Sequence, residues 1–155
     1  MSTPSATRPL PTLSLHAAQT ASEAAQRKAQ ELGIDFNIAL VDSTLHLLHF
    51  TRMPTAKLTS VDIAINKAFT AAGHRQPTSA YTAKAFLPGG PGYSIHNSNG
   101  GRFILIPGGI PITVDGVVVG AIGVSTGTPA QDAEVAQAGV DAVDALVRRK
   151  QGAKL

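Results

Sequence analysis

The chain has no cysteine and no tryptophan. Aromatic residues make up 5% of it and charged residues 15%, against about 25% charged in typical globular domains. The missing cysteine excludes disulfides, thiolate chemistry and cysteine-ligated zinc. The shortage of aromatics removes the stacking platforms that single-stranded nucleic acids need. The formal net charge of +3 does not restore a nucleic-acid reading. Much of the excess sits at the ends, at Arg8 and at Arg148, Arg149, Lys150 and Lys154, whereas a binding groove wants Lys and Arg clustered on the folded body. No apolar run approaches the length of a membrane span. The first residues lack a charged region followed by an apolar one, so no secretory signal is expected.

What is present is apolar. Hydrophobic residues reach 43% of 155, too many for a disordered chain and enough for one domain with a sizeable core. The low charge implies that part of the surface is covered, as in a homo-oligomer. Residues 1–13 read as a flexible tail rich in Ser, Thr and Pro, 14–150 as the domain, and 151–155 as a second tail.

Arg102 to Asp132 holds the densest β-branched and aliphatic run, punctuated by Pro107-Gly108-Gly109 and Asp115-Gly116. This predicts three antiparallel strands, at Arg102–Ile106, Ile110–Val114 and Val117–Val124. Asp115-Gly116 suits a two-residue hairpin, whose turn needs positive φ at both central positions. A second hairpin is expected from Phe36–Val41 and Leu45–Arg52. Its period of two sends His46 and His49 to opposite faces, away from any shared metal.

Three helices complete the pattern. An alanine-rich helix is expected from about Ser14 to Leu32, closed by Gly33. A second opens at Thr59-Ser60-Val61-Asp62, a capping-box pattern, and stops at Gly73. A third opens at Thr128-Pro129-Ala130-Gln131, another capping box, and runs to about Lys150. Thr78–Phe86 reads as a short helix within a long Gly/Pro/Asn-rich connection, Gly73–Gly101, of the kind that carries function or moves. The order α-β-β-α-β-β-β-α does not alternate singly, which argues against a parallel doubly wound sheet. An α+β domain with a five-stranded antiparallel sheet packed with helices is expected.

Several stretches, taken in order, resemble one known family. They are Ala39-Leu40-Val41-Asp42, Arg52-Met53-Pro54-Thr55-Ala56, and Ser60 through Ala71 with Ile63-Ala64 and Lys67-Ala68. They continue with Gly108-Gly109-Ile110-Pro111-Ile112, Asp115-Gly116, Gly120-Ala121-Ile122-Gly123-Val124-Ser125 and Gln131-Asp132. Together they resemble the GlcG/HbpS-like, or haem-degrading, domain family over roughly Leu15 to Leu146. The turn after Asp42 departs from the family pattern, because Leu45-His46 stands near the usual glycine. The resemblance implies a profilin-like α/β sandwich that is homo-oligomeric. Some members bind haem or sit beside corrinoid enzymes, and others accompany small-molecule catabolism.

Candidate chemistry rests on few residues. Lys67, beside the buried stripe of its helix, is a base or charge clamp if desolvated and a snorkelling surface lysine if not. Arg52, at a strand end, suits a bidentate carboxylate clamp or a structural ion pair with Asp42 or Asp62. His74 and His96 flank the long connection and suit a haem ligand or an acid/base pair, against the plain alternative of two solvated histidines. Tyr81 and Tyr93 are possible hydroxyl donors there. Gly120, Gly123 and Gly127 fit close packing better than an anion cradle, since neither the Walker lysine nor the Rossmann spacing is present.

Two functions follow. The first is a cofactor-independent enzyme, an isomerase or tautomerase moving a proton on a carboxylate or carbonyl compound, with Arg52 as anchor, Lys67 as polarising group and His96 as shuttle. The second is a haem- or tetrapyrrole-binding module with His74 or His96 as ligand. A cytoplasmic location is expected, or a peroxisomal one in a eukaryote, since Ala153-Lys154-Leu155 resembles the Ser-Lys-Leu address.

Overall fold

The computed structural model describes residues 4–153. Among the described residues, four strands and four helices form three layers. The strands are β1 (Asn37–Asp42), β2 (Leu47–Arg52), β3 (Gly109–Val114) and β4 (Val117–Ser125). The helices are α1 (Leu15–Leu32), α2 (Ser60–His74), the single turn α3 (Ala83–Phe86) and α4 (Pro129–Gly152). The sheet is antiparallel in the order β2-β1-β4-β3. The fold is therefore α+β, as the pattern of elements predicts, with four strands rather than five.

Strand alternation divides the core. Ile38, Leu40, Ile112, Ile122 and Val124 point to the face covered by α1 and α4. Ala39, Val41 and Ala121 point to the other face, where they meet Ala64, Ala68 and Ala71 of α2. The α2 side is built from small residues, so the helix lies close. A Cβ at Gly123 would collide with the Ala64 carbonyl and the Ala68 backbone. The glycines of β4 thus serve packing, as expected.

The strand expected at Arg102–Ile106 does not form. Its backbone is tied to α2 instead of to the edge of β3. The Ile104 amide donates to Thr70 Oγ1 (3.0 Å), whose own hydrogen faces the Asn66 carbonyl at 2.8 Å and the Arg102 carbonyl at 3.3 Å. Phe103, 7% exposed, turns inward beside His74 and Tyr81. An apolar run of this length serves equally well as a strand or as a strap over a helix, and the threonine on α2 selects the strap.

The Asp115-Gly116 turn has φ of 49° and 78°, as its hairpin requires. Ser14 caps α1 and Thr128 caps α4 with a full capping box. Thr59 makes no capping bond, because its own backbone is helical (φ −67°, ψ −20°) and its side chain does not reach back. Gly73 does not stop α2, which runs on to His74 and ends at Arg75 in the left-handed region. A bulge where Leu40 pairs with His49 and Val41 with Leu47 turns Leu48 toward the α1/α4 core. Leu13, assigned to the tail, is 5% exposed and donates its amide to Val119. The connection from 75 to 108 folds as a succession of turns, with 3-10 turns at Thr78–Ala80, Ile95–Asn97 and Asn99–Gly101. Of the Ala153-Lys154-Leu155 signal, Lys154 and Leu155 lie outside the described residues.

Candidate functional site

Helix α2 presents two chemically different flanks. Toward the sheet it carries Lys67, which is 1% exposed. The Lys67 ammonium donates to Asp132 Oδ2 at 2.7 Å and to the Val124 carbonyl at 3.0 Å. Asp132, 3% exposed, stands in the first turn of α4, and its Oδ1 accepts the Gly127 amide at 2.9 Å. The helix dipole and this amide both favour a negative charge there. The glycine amide that the sequence offered to an external anion is therefore occupied by the chain's own carboxylate. Burial lowers the Lys67 pKa, with the bond and charge of Asp132 opposing the shift. Burial likewise raises that of Asp132, opposed by Lys67 and the loop amides. Lys67 is neither a snorkelling lysine nor an open base; it joins α2, β4 and α4.

Adjoining that flank, Asn66, Phe69, Thr70, Gly73 and His74 follow the i, i+3, i+4, i+7, i+8 spacing of one helical stripe. The strap at 102–104 and Asn99 close over it. Phe69, Thr70, Gly73, His74, Asn99 and Phe103 line a cleft of about 160 Å³. The His74 ring is held by aromatic edges alone. It meets Phe103 at 5.2 Å and Tyr81 at 5.8 Å between centroids, both edge to face. Among the described residues, neither ring nitrogen of His74 has a hydrogen-bond partner. The buried Tyr81 hydroxyl also has none, and burial pushes its pKa up, so it keeps its proton.

The other expected residues are not brought to this cleft. His96 is exposed on the Ile95–Asn97 turn and is not part of the lining. Arg52 is exposed at the end of β2 and forms no ion pair with Asp42 or Asp62 among the described residues. Tyr93 is 54% exposed. His46 bonds locally to Thr44, and His49 to Thr51. Among the described residues no three His, Cys, Asp or Glu side chains cluster as a metal site would require. Two larger depressions, of about 490 and 690 Å³, lie between the ends of α1 and α4 and on the 82–91 loop. Neither contains a histidine.

Sequence reading alone missed Asp132 and Arg102. The signal for Asp132 was an acid in the first turn of a helix, needed by a lysine set among alanines. Arg102 has its Nε donating to Asn66 Oδ1 at 3.1 Å and its guanidinium 3.9 Å from the centre of the Phe69 ring.

The family model described as haem degrading protein HbpS-like matches residues 13–141. This chain belongs to the HbpS-like family. Its relatives include an uncharacterized 15.0 kDa protein of Citrobacter freundii encoded in the dhaT-dhaS intergenic region. That protein is 37% identical over 135 residues, spanning 87% of this chain and 94% of its own. Among solved structures, Klebsiella pneumoniae protein ORFY superposes with a TM-score of 0.89 at 35% identity, covering 93% of this chain and 99% of ORFY. The haem complex of PduOC superposes with a TM-score of 0.79 at 30% identity, covering 84% and 94%.

Proposed function

We propose that this HbpS-like protein is a small-molecule-binding module whose ligand is haem or a related tetrapyrrole, which the His74 imidazole on α2 would hold. The observation that carries the reading is the His74 imidazole: fixed in orientation by Phe103 and Tyr81, open at the surface, and with both nitrogens unspent. A histidine is a common protein ligand of haem iron, so His74 would hold a bound haem, which would supply the iron centre. The haem complex of a relative with this fold supports the same reading.

The residues fit such a group in a particular way. The cleft is about 160 Å³, below the roughly 300–1,000 Å³ of pockets that enclose drug-sized ligands. It would take only part of a molecule of that size. A homo-oligomer, in which a second copy covers the exposed side, suits that arrangement.

The proton-transfer enzyme built on Lys67, Arg52 and His96 draws no support from this geometry. The Lys67 ammonium is consumed by Asp132 and Val124, and none of the three lines the cleft. Titration with hemin, following the Soret band, tests the proposal. Wild-type protein should shift the band, His74→Ala should weaken binding at least tenfold, and His96→Ala should leave it unchanged. Absence of any band shift with wild-type protein ends the haem reading. An equal loss with His96→Ala ends the assignment to His74.

A further inference from the structure

Arg102 is a cation that the fold positions without neutralising. Among the described residues no carboxylate lies within ion-pair distance of it, and the acceptor it meets is the neutral Asn66 Oδ1. A guanidinium carries five N–H donors. The one on Nε is spent on Asn66, so the four on the terminal nitrogens have no protein partner among the described residues. The group is nevertheless held still. Its guanidinium carbon sits over the Phe69 ring, and, two residues on, the Ile104 amide donates to the Thr70 hydroxyl. Phe69 and Thr70 are themselves walls of the cleft, and the next residue, Phe103, is the wall against which His74 stands. A cation and an imidazole thus mark two ends of one stripe. Along α2, Phe69 and His74 are five residues apart, a rise of about 7.5 Å.

We infer that Arg102, which stands beside the cleft on the far side of its wall residue Phe69 rather than in its lining, is a carboxylate clamp at its rim, pairing through its terminal nitrogens with a carboxylate on a planar ligand held at His74. The inference rests on the tetrapyrrole reading for the identity of that ligand, where the carboxylate is a propionate. The chemistry it requires, a flat conjugated body bearing a carboxylate, is shared with smaller aromatic acids. An arginine held by a ring face and one amide oxygen has paid little entropy still to be lost on binding, which favours bidentate capture.

The test compares hemin, hemin dimethyl ester and 2-naphthoate against wild-type protein, Arg102→Gln, Arg102→Lys and His74→Ala. Thermal unfolding of each variant first shows that it is folded. A clamp at Arg102 predicts that Arg102→Gln weakens hemin about tenfold to a hundredfold, the range of one charge-assisted bond. Arg102→Lys should recover part of this, and the dimethyl ester should bind wild type and Arg102→Gln alike. His74→Ala should weaken hemin and its ester together. Equal weakening of acid and ester by Arg102→Gln, or no weakening of either, overturns the clamp. If wild-type protein binds neither porphyrin, the tetrapyrrole reading fails by itself. The clamp then stands or falls on 2-naphthoate, followed by the amide signals of Asn66 and Phe69. Binding that Arg102→Gln abolishes supports it, and binding that is absent or indifferent to Arg102 overturns it.

Discussion

Lys67 of α2 and Arg102, which lies against the same helix, meet opposite treatment. Lys67 lies 1% exposed, 2.7 Å from a buried aspartate and 3.0 Å from a carbonyl. Its charge is used up in joining three elements. Arg102 is half-buried, stacked on a ring and bonded to a neutral amide. Its charge is left over. The comparison separates two meanings of a charged residue in an apolar chain. One whose partners are all internal belongs to the architecture, even where it looks reactive. One that is oriented but unpaired is available to something outside the chain.

The largest expected effect breaks the architectural half of this comparison. Removing one partner of a buried ion pair leaves the other charge uncompensated, at a cost of about 3–5 kcal/mol. Lys67→Met and Asp132→Leu should each destabilise by that order in guanidinium unfolding. The double variant should return to near wild-type stability or exceed it, because both charges are then gone. If the single variants cost less than about 1 kcal/mol, Lys67 and Asp132 are not the internal pair that the geometry gives. Hemin binding by the double variant should be unchanged, since neither residue lines the cleft.

Much of this arrangement was legible in the sequence, and its gaps have physical causes. Ser14, Gly33, Thr128 and Asp115-Gly116 act locally, through their own backbone, and all appear where expected. The order of elements, apart from the strand at Arg102–Ile106, followed from periodicity. The fifth strand does not form, and Phe103-Ile104-Leu105-Ile106 carries no local sign of its partner, a threonine hydroxyl 34 residues before Ile104. The same distance in sequence hid Arg102, whose ring partner Phe69 and amide partner Asn66 sit on α2. Lys67 was visible as a lysine among alanines, but its acid lies 65 residues away. Long-range pairings of this kind leave no spacing to read.

A middle-sized effect sharpens the link between strap and cleft. Thr70→Val keeps the side-chain shape and removes the hydroxyl that receives the Ile104 amide and faces the Arg102 carbonyl. Leaving a half-buried amide without its acceptor costs about 1–2 kcal/mol. If Thr70 also holds Arg102 in place, hemin affinity should fall several-fold in Thr70→Val. Thr70→Ser, which keeps the hydroxyl, should restore both stability and affinity. A loss of stability with unchanged affinity would mean that Phe69 and Asn66 position the guanidinium without help from the strap.

The smallest effect is a pH dependence that only the internal pair should show. Burial raises the Asp132 pKa above the ordinary carboxylate value of 3.8, and lowers that of Lys67 below the ordinary 10.5. Between the unfolded and folded values of Asp132 the folded chain holds more protons, so stability falls as pH rises out of the ordinary carboxylate range. Between the folded and unfolded values of Lys67 the folded chain holds fewer, so stability rises again as pH approaches the ordinary lysine value. Relative to the double Lys67→Met/Asp132→Leu variant, wild-type stability should therefore pass through a shallow minimum between those two ranges, measured as urea midpoints across pH. A difference profile that instead peaks there would show the pair gaining more from mutual attraction than it loses by desolvation. Lys67 and Asp132 would then be stabilising as a charged pair. Arg102→Gln, removing a charge that the fold leaves unpaired, should show neither a minimum nor a peak.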